Sequence, residues 1–316
     1  MFGRPLVVGE TKKVHSSDTQ IIENVRSLSG VSDSEGPDDA HILAGVRGFA
    51  DAFNFWYERV IGEAVPKYKN VIIARINPFI RRFEFVGLDA EECAHRLVGD
   101  YARRNFVTAG GWALERMAID ASPDAQKSTA EGMDAQRYVP ATSDYHLYVL
   151  KSGLVTRNSD IIKGIKINGR RAERLLKQGG VANTVHLNYA ILSGKVTSSF
   201  EDGVRRPSSG EFWGEMFELP QGKAIELALS IAAEAGKLVT RGDSPHISAL
   251  EKLVFTYIES ENEPGVMDWE FLAKRNMQDR GDWKAEDARR DAKARRALAA
   301  SGYQPVPPRG SEDLAS

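Results

Sequence analysis

The stretch YHLYVLKSG, residues 145–153, decides how this chain is read. Tyr145, Leu147 and Val149 alternate with their neighbours as in a β-strand, and Ser152–Gly153 supply a turn behind it. The strand ends in Lys151. An ammonium at the end of an apolar run is costly to bury unless it is paired, so the lysine asks for a partner. Just upstream, the turn PATSD (140–144) follows another strand candidate, AQRYV (135–139), and Asp134 stands at its start. A hairpin of that form brings Asp134 and Lys151 to neighbouring positions at one sheet edge.

The same periodicities extend outward. TVHLNYAILSG (184–194) reads as a third strand, and SDIIKGIKINGRRAERLLKQGG (159–180) as a helix, capped by Ser159 and ended by its glycine pair. Strand, helix, strand in that order predicts a right-handed crossover in a mixed sheet. DAEECAHRLVGDYARR (89–104) places Ala90, Cys93, Leu97 and Tyr101 on one helical stripe. TAGGWALERMAIDA (108–121) reads as a second helix that starts at Thr108 and the glycines. Helices are also expected over 39–63, where Phe49, Phe53, Trp56, Tyr57 and Val60 recur at helical spacing, over 222–239 and over 244–261. The mixed charges that follow Asp279 suit an exposed helix held by i,i+4 ion pairs. Residues 1–42 and the closing PVPPRGSEDLAS are polar and turn-rich, with disorder expected. Three sections follow from this pattern: 1–69, 70–220 and 221–316.

Composition bounds the function. Of 316 residues, 42% are hydrophobic and 27% charged, which is ordinary for a soluble globular chain. The net charge of -2 announces no overall nucleic-acid partner, although a basic face can be balanced elsewhere. A single cysteine, Cys93, excludes an internal disulfide and a cysteine zinc cluster. The six histidines show no metal-binding spacing, and His146 falls on the strand face opposite Lys151. There is no serine-hydrolase elbow and no Walker sequence. No apolar run approaches the ~18 residues of a membrane span, and the N-terminus lacks a signal-peptide core, so a cytoplasmic protein is expected.

A carboxylate beside an ammonium is a chemical pair with a use. The carboxylate can hold Mg²⁺ through oxygen, and the metal can polarise a phosphoryl group. The ammonium can orient water or stabilise transition-state charge. The order of the surrounding motifs then resembles the PD-(D/E)xK nucleases, most closely one group of type II restriction endonucleases. A helix with glycines at its start and an acid on it (TAGGWALERM), a Gly-x-Asp (EGMD, 131–134) and a lysine strand followed by a small residue and glycine (YVLKSG) occur in sequence. INPF (76–79), N-x-D (158–160) and GEFW (210–213) flank them, so the resemblance spans roughly residues 70–215.

The resemblance implies an α/β fold of the restriction-endonuclease kind, a central mixed sheet flanked by helices, with extra helices at both termini. It implies hydrolysis of double-stranded DNA at a short specific sequence, Mg²⁺ as cofactor and a homodimer matched to a palindromic site. Asp134 would bind metal and Lys151 would act on water or the phosphoryl group. One departure stands out: the acid expected two residues before the lysine is Val149. Glu115, one or two turns into the helix, is the candidate to replace it as metal ligand. Asp144, only seven residues before Lys151, is a poorer candidate for the first carboxylate. DNA phosphates would be met by Lys163, Lys166, Arg170 and Arg171 on the helix after the lysine strand. A loop carrying Arg205 and Arg206 would be placed to read bases.

Blander readings stand beside these. Lys151 could snorkel to solvent, Asp134 could be a turn residue, and Glu115 could pair with Arg116 or Arg171. The basic helix could be a solvated face. Two whole-protein alternatives remain: a non-catalytic DNA- or protein-binding module with Val149 marking a lost acid, and a repair or defence nuclease without site specificity.

Overall fold

The computed structural model describes residues 17–153, 159–178, 184–239, 244–278 and 283–305, the side chains of 159–161 excepted. In chain order the elements are α1 (Asp18–Ser29), α2 (Asp39–Ala64), α3 (Tyr68–Val71), α4 (Pro78–Glu84), α5 (Ala90–Asp120), β1 (Ala125–Lys127), β2 (Ala135–Val139), β3 (Asp144–Lys151), α6 (Ser159–Gln178), β4 (Thr184–Ile191), β5 (Ser199–Glu201), β6 (Val204–Arg206), α7 (Ser209–Phe217), α8 (Gln221–Leu238), α9 (Pro245–Ile258), α10 (Trp269–Met277) and α11 (Trp283–Ala300). The chain is mixed α/β. Among the described residues six strands form one mixed sheet in the order β1-β2-β3-β4-β6-β5.

The sheet is built outward from β3. β2 pairs with β3 antiparallel, β4 pairs with β3 parallel, and α6 lies between those two parallel strands in the chain. Side chains alternate between the faces, as a strand's period of two requires. Tyr148, Leu150, Ala190 and Leu192 enter one core with Val46, Met117, Phe212 and Leu227 from the helices. Leu147, Val149, Tyr189 and Ile191 enter the other, against Ile162 and Ile165 of α6. Gly169 lets α6 close on β4: a Cβ there would come 2.5 Å from a Leu187 methyl.

Two compact units divide the chain, and neither is a continuous segment. One comprises Met1–Phe53 and Gly110–Val239 and contains the sheet; the other comprises Asn54–Ala109 and Thr240–Ser316. These boundaries differ from cuts at 69/70 and 220/221. The reason is packing: α1 lies along α8 and α7 against α8, which draws residues on both sides of a cut at 220 into one core. The second unit has its own helical core, in which Tyr68, Val98, Leu253 and Tyr257 are fully or almost fully buried.

Several local expectations are corrected. The stretch read as two helices over 89–121 is one, α5 (Ala90–Asp120), and Thr108 caps nothing; its hydroxyl donates to the Arg104 carbonyl one turn back. Within the stretch expected to be turn-rich lies α1, with Ser17 capping its start and Gly30, in left-handed conformation, closing its end. The segment with Arg205 and Arg206 is not a loop but the second strand of a hairpin. Its two-residue turn, Asp202–Gly203, has positive φ at both positions, the geometry that matches strand twist. The charged helix α11 is not exposed all round: Arg290 and Ala294 are buried. Ser159's side chain, the glycine pair 179–180 and the tail from residue 306 lie outside the described residues. Among the described residues no helix is long and apolar enough to cross a membrane.

Candidate active site

The site is assembled at the C-terminal end of β3. β2 and β3 register Ala135 against Tyr148, and the pairing continues one step before β2 begins. The backbone N–H of Asp134 donates to the Tyr148 carbonyl at 2.8 Å. In return the Leu150 N–H donates to Asp134 Oδ2 at 2.7 Å. One carboxylate oxygen is thereby fixed on β3 one residue before Lys151. The preceding bend depends on Gly132, whose φ is +74° and where a Cβ would come 2.2 Å from the Asn168 side-chain nitrogen. Only glycine adopts that backbone at no cost and leaves that space, which gives the Gly-x-Asp pattern a local physical reason.

The helix α5 supplies the third group. At Gly111 a Cβ would come 2.8 Å from Ser152 Oγ, so α5 crosses the residue that follows Lys151 at close range. Glu115 stands one turn further along the same helix face. Its carboxyl is pushed up to about 7, first by burial and then by the negative charge of Asp134, while Lys151 and Lys127 pull the other way. Glu115, Asp134 and Lys151 therefore share one electrostatic neighbourhood, half-buried at the C-terminal end of β3. Lys127 joins them from β1, where it pairs with Ala135. Sequence reasoning passed over Lys127 because a three-residue strand carries no usable period.

Two carboxylates so placed suit a hard divalent cation. Among the described residues no group of three or more His, Cys, Asp or Glu side chains could hold a metal ion. Val149, the position at which an acid was expected, is 7% exposed and packed in the α6-side core. Mg²⁺ keeps several waters and needs only one or two carboxylates from a protein. Asp134 and Glu115 are the residues that would hold such an ion.

Other candidates fall elsewhere. Asp144 opens β3 at the end away from Lys151, where it lies 3.7 Å from His186; hydrogen bonding from Thr142 holds its carboxyl below the usual range. His146 lies on the opposite face from Lys151, stacks on His186 at 4.6 Å and is pushed down to about 4, chiefly by burial. Of the basic residues, Lys163 and Arg170 are exposed on α6. Lys166 pairs with Asp202 at 2.8 Å and Arg171 with Glu131 at 3.2 Å. Arg205 turns onto α7, bonding Glu215 at 2.5 Å with Glu211 at 3.7 Å, and Arg206 is partly buried beside it in β6. A strand arginine held by two carboxylates is not the free loop side chain expected for base reading.

No family model matches the chain, and a search of the curated proteins finds no match. The functional reading therefore stands on the site itself.

Proposed function

We propose that this protein is a Mg²⁺-dependent endodeoxyribonuclease that acts in the cytoplasm on double-stranded DNA at a short specific sequence, as a type II restriction endonuclease of restriction-like fold. One observation carries the proposal: Glu115 on α5, Asp134 just before β2 and Lys151 at the end of β3 share one electrostatic neighbourhood, in which Glu115 senses both of the other charges. Asp134 and Glu115 would hold the cation, whose chemistry when bound is to neutralise phosphoryl charge and acidify water. Asp134 keeps its position through the Leu150 N–H, so its second oxygen is the one left for a ligand. Lys151, at the strand end, orients the attacking water or stabilises charge on the phosphorane-like transition state. Glu115 must shed its proton to act as a ligand, so Mg²⁺ binding, measured at limiting cation, strengthens as pH rises toward 7. A homodimer is part of the proposal, since a two-fold protein matches a palindromic site.

Val149 favours a second reading, a non-catalytic DNA-binding module on the same fold, because a buried valine offers no metal ligand. Cleavage of unmethylated phage and plasmid DNA in Mg²⁺ separates the two. Discrete bands from the wild type, absent in Lys151→Ala and Asp134→Asn, are expected. A smear would remove the site-specific reading and leave a nuclease. No cleavage of several unrelated DNAs in Mg²⁺ or Mn²⁺ would favour the binding module.

A further inference from the structure

The helical unit, Asn54–Ala109 with Thr240–Ser316, contains a cleft that the nuclease reading does not use. Its volume is about 280 Å³, and its polar lining is four arginines, Arg75, Arg81, Arg103 and Arg104, with one carboxylate, Asp100. Arg81 is already engaged, bonding Asp100 and Glu84 at 2.6 Å each. Arg75, Arg103 and Arg104 are exposed and, among the described residues, close no ion pair within 4.0 Å. Asp100, the carboxylate on the lining, is taken up by Arg81, so the other three guanidiniums repel one another, and an anion between them would relieve that repulsion. Their planar donors match phosphate oxygens in bidentate fashion.

The floor is a different chemistry. Ile72, Ile76 and Leu97, each no more than 5% exposed, close the bottom of the cleft. A bare inorganic anion has no use for an apolar floor; a sugar or base does. The helix that supplies Arg81 also leaves Phe79 72% and Phe83 86% exposed, rings of the kind on which bases stack. The volume lies at the small end of ligand pockets and suits one nucleotide unit rather than a large cofactor.

We infer that this arginine-lined cleft is a binding site for a nucleoside phosphate, with Arg75, Arg103 and Arg104 on the phosphate and Ile72, Ile76 and Leu97 against the nucleoside. The ligand is either a free nucleotide or one unit of a single-stranded nucleic acid. The inference does not depend on the carboxylate–lysine site, because none of its residues belongs to that unit.

Binding to the full-length protein is measured in EDTA, so that no cleavage contributes. Calorimetry with dAMP, ADP, adenosine and pyrophosphate is run beside fluorescence anisotropy with a labelled eight-nucleotide oligo(dT). The wild type is compared with the double variant Arg103→Ala/Arg104→Ala and, separately, with Arg75→Ala. These side chains are exposed, so thermal melting should show the variants folded. At least one phosphorylated probe is expected to bind with 1:1 stoichiometry, adenosine at least ten-fold more weakly, and the double variant should lose ten-fold or more. Tighter binding of the nucleotides would identify a free ligand; tighter binding of the oligonucleotide would identify a strand. Pyrophosphate binding as tightly as ADP would overturn the nucleoside assignment. Equal affinity in wild type and both variants, or no binding of any probe, would overturn the site.

Discussion

Burial and the charge of Asp134 push the Glu115 carboxyl up to about 7 from an ordinary value of 4.5. The folded chain then binds that proton more tightly than the unfolded chain does. Stability from this group is fully present below about pH 4.5 and is lost as pH rises through 7. Converted in full, the shift would exceed 3 kcal/mol; partial exposure reduces it to about 1–2 kcal/mol. Glu115→Gln is therefore expected to raise stability by about that amount at pH 8 and to change it little at pH 4.5, read from urea midpoints without divalent cation. It should also abolish cleavage. Equal shifts at both pH values would mean that Glu115 does not carry this burden. Asp134 and Lys151 were legible in the sequence because hairpin arithmetic alone makes them neighbours. Glu115 was read as one or two turns into a helix beginning at Thr108; the helix begins at Ala90, and what carries over is its spacing of one turn from Gly111. Lys127 was not, since its position follows only from the pairing of Lys127 with Ala135.

At the scale of elements, α5 is the informative case. Gly110–Gly111 read naturally as a helix start, because glycine costs a helix interior roughly 0.5–1 kcal/mol each relative to alanine. The helix nevertheless runs through both, and the two glycines have different reasons to be there. A Cβ at Gly110 meets nothing within 4 Å, whereas one at Gly111 would meet Ser152 Oγ at 2.8 Å and Ser152 Cβ at 3.2 Å. Gly110→Ala is expected to stabilise the protein by about 0.5–1 kcal/mol and leave cleavage unchanged. Gly111→Ala should forfeit that gain and slow cleavage, because Ser152 must move and Lys151 is its neighbour. Thermal melts and initial cleavage rates of the two variants check this; identical behaviour would detach α5 from the site. The hairpin 199–206 teaches a related lesson. Asp202–Gly203 is a strong two-residue turn signal, but flanking strands of three residues each are too short to show alternation, and the segment passed for a loop. In α11 the charge pattern hid a buried arginine: Arg290 is held by Asp268 and Glu286 and by the carbonyls of Tyr257 and Glu259, so its charge is answered inside the fold.

For the molecule as a whole, a net charge of -2 means that any grip on DNA is local rather than global. The structure sorts the basic residues by whether their charge is already spent. On α6, Lys166 and Arg171 face Asp202 and Glu131, and Lys177 faces Glu173. Arg170 and Arg174 are exposed on the same helix and, among the described residues, close no ion pair within 4.0 Å. Arg205 is engaged by Glu215 and Glu211. Displacing counterions from DNA requires cations that are free to meet phosphate, and each such contact contributes about -0.9 to the slope of log K against log salt. Arg170→Ala and Arg174→Ala are each expected to make that slope shallower by about 0.9 and to weaken binding about equally for all duplex sequences. Arg205→Ala should instead lower thermal stability, by leaving Glu215 without its partner, and leave the slope where it was. Anisotropy titrations of a labelled duplex across a salt series, in EDTA, give all three slopes. A slope that changes for Arg205→Ala and not for Arg170→Ala would move the DNA-facing surface from α6 to the hairpin.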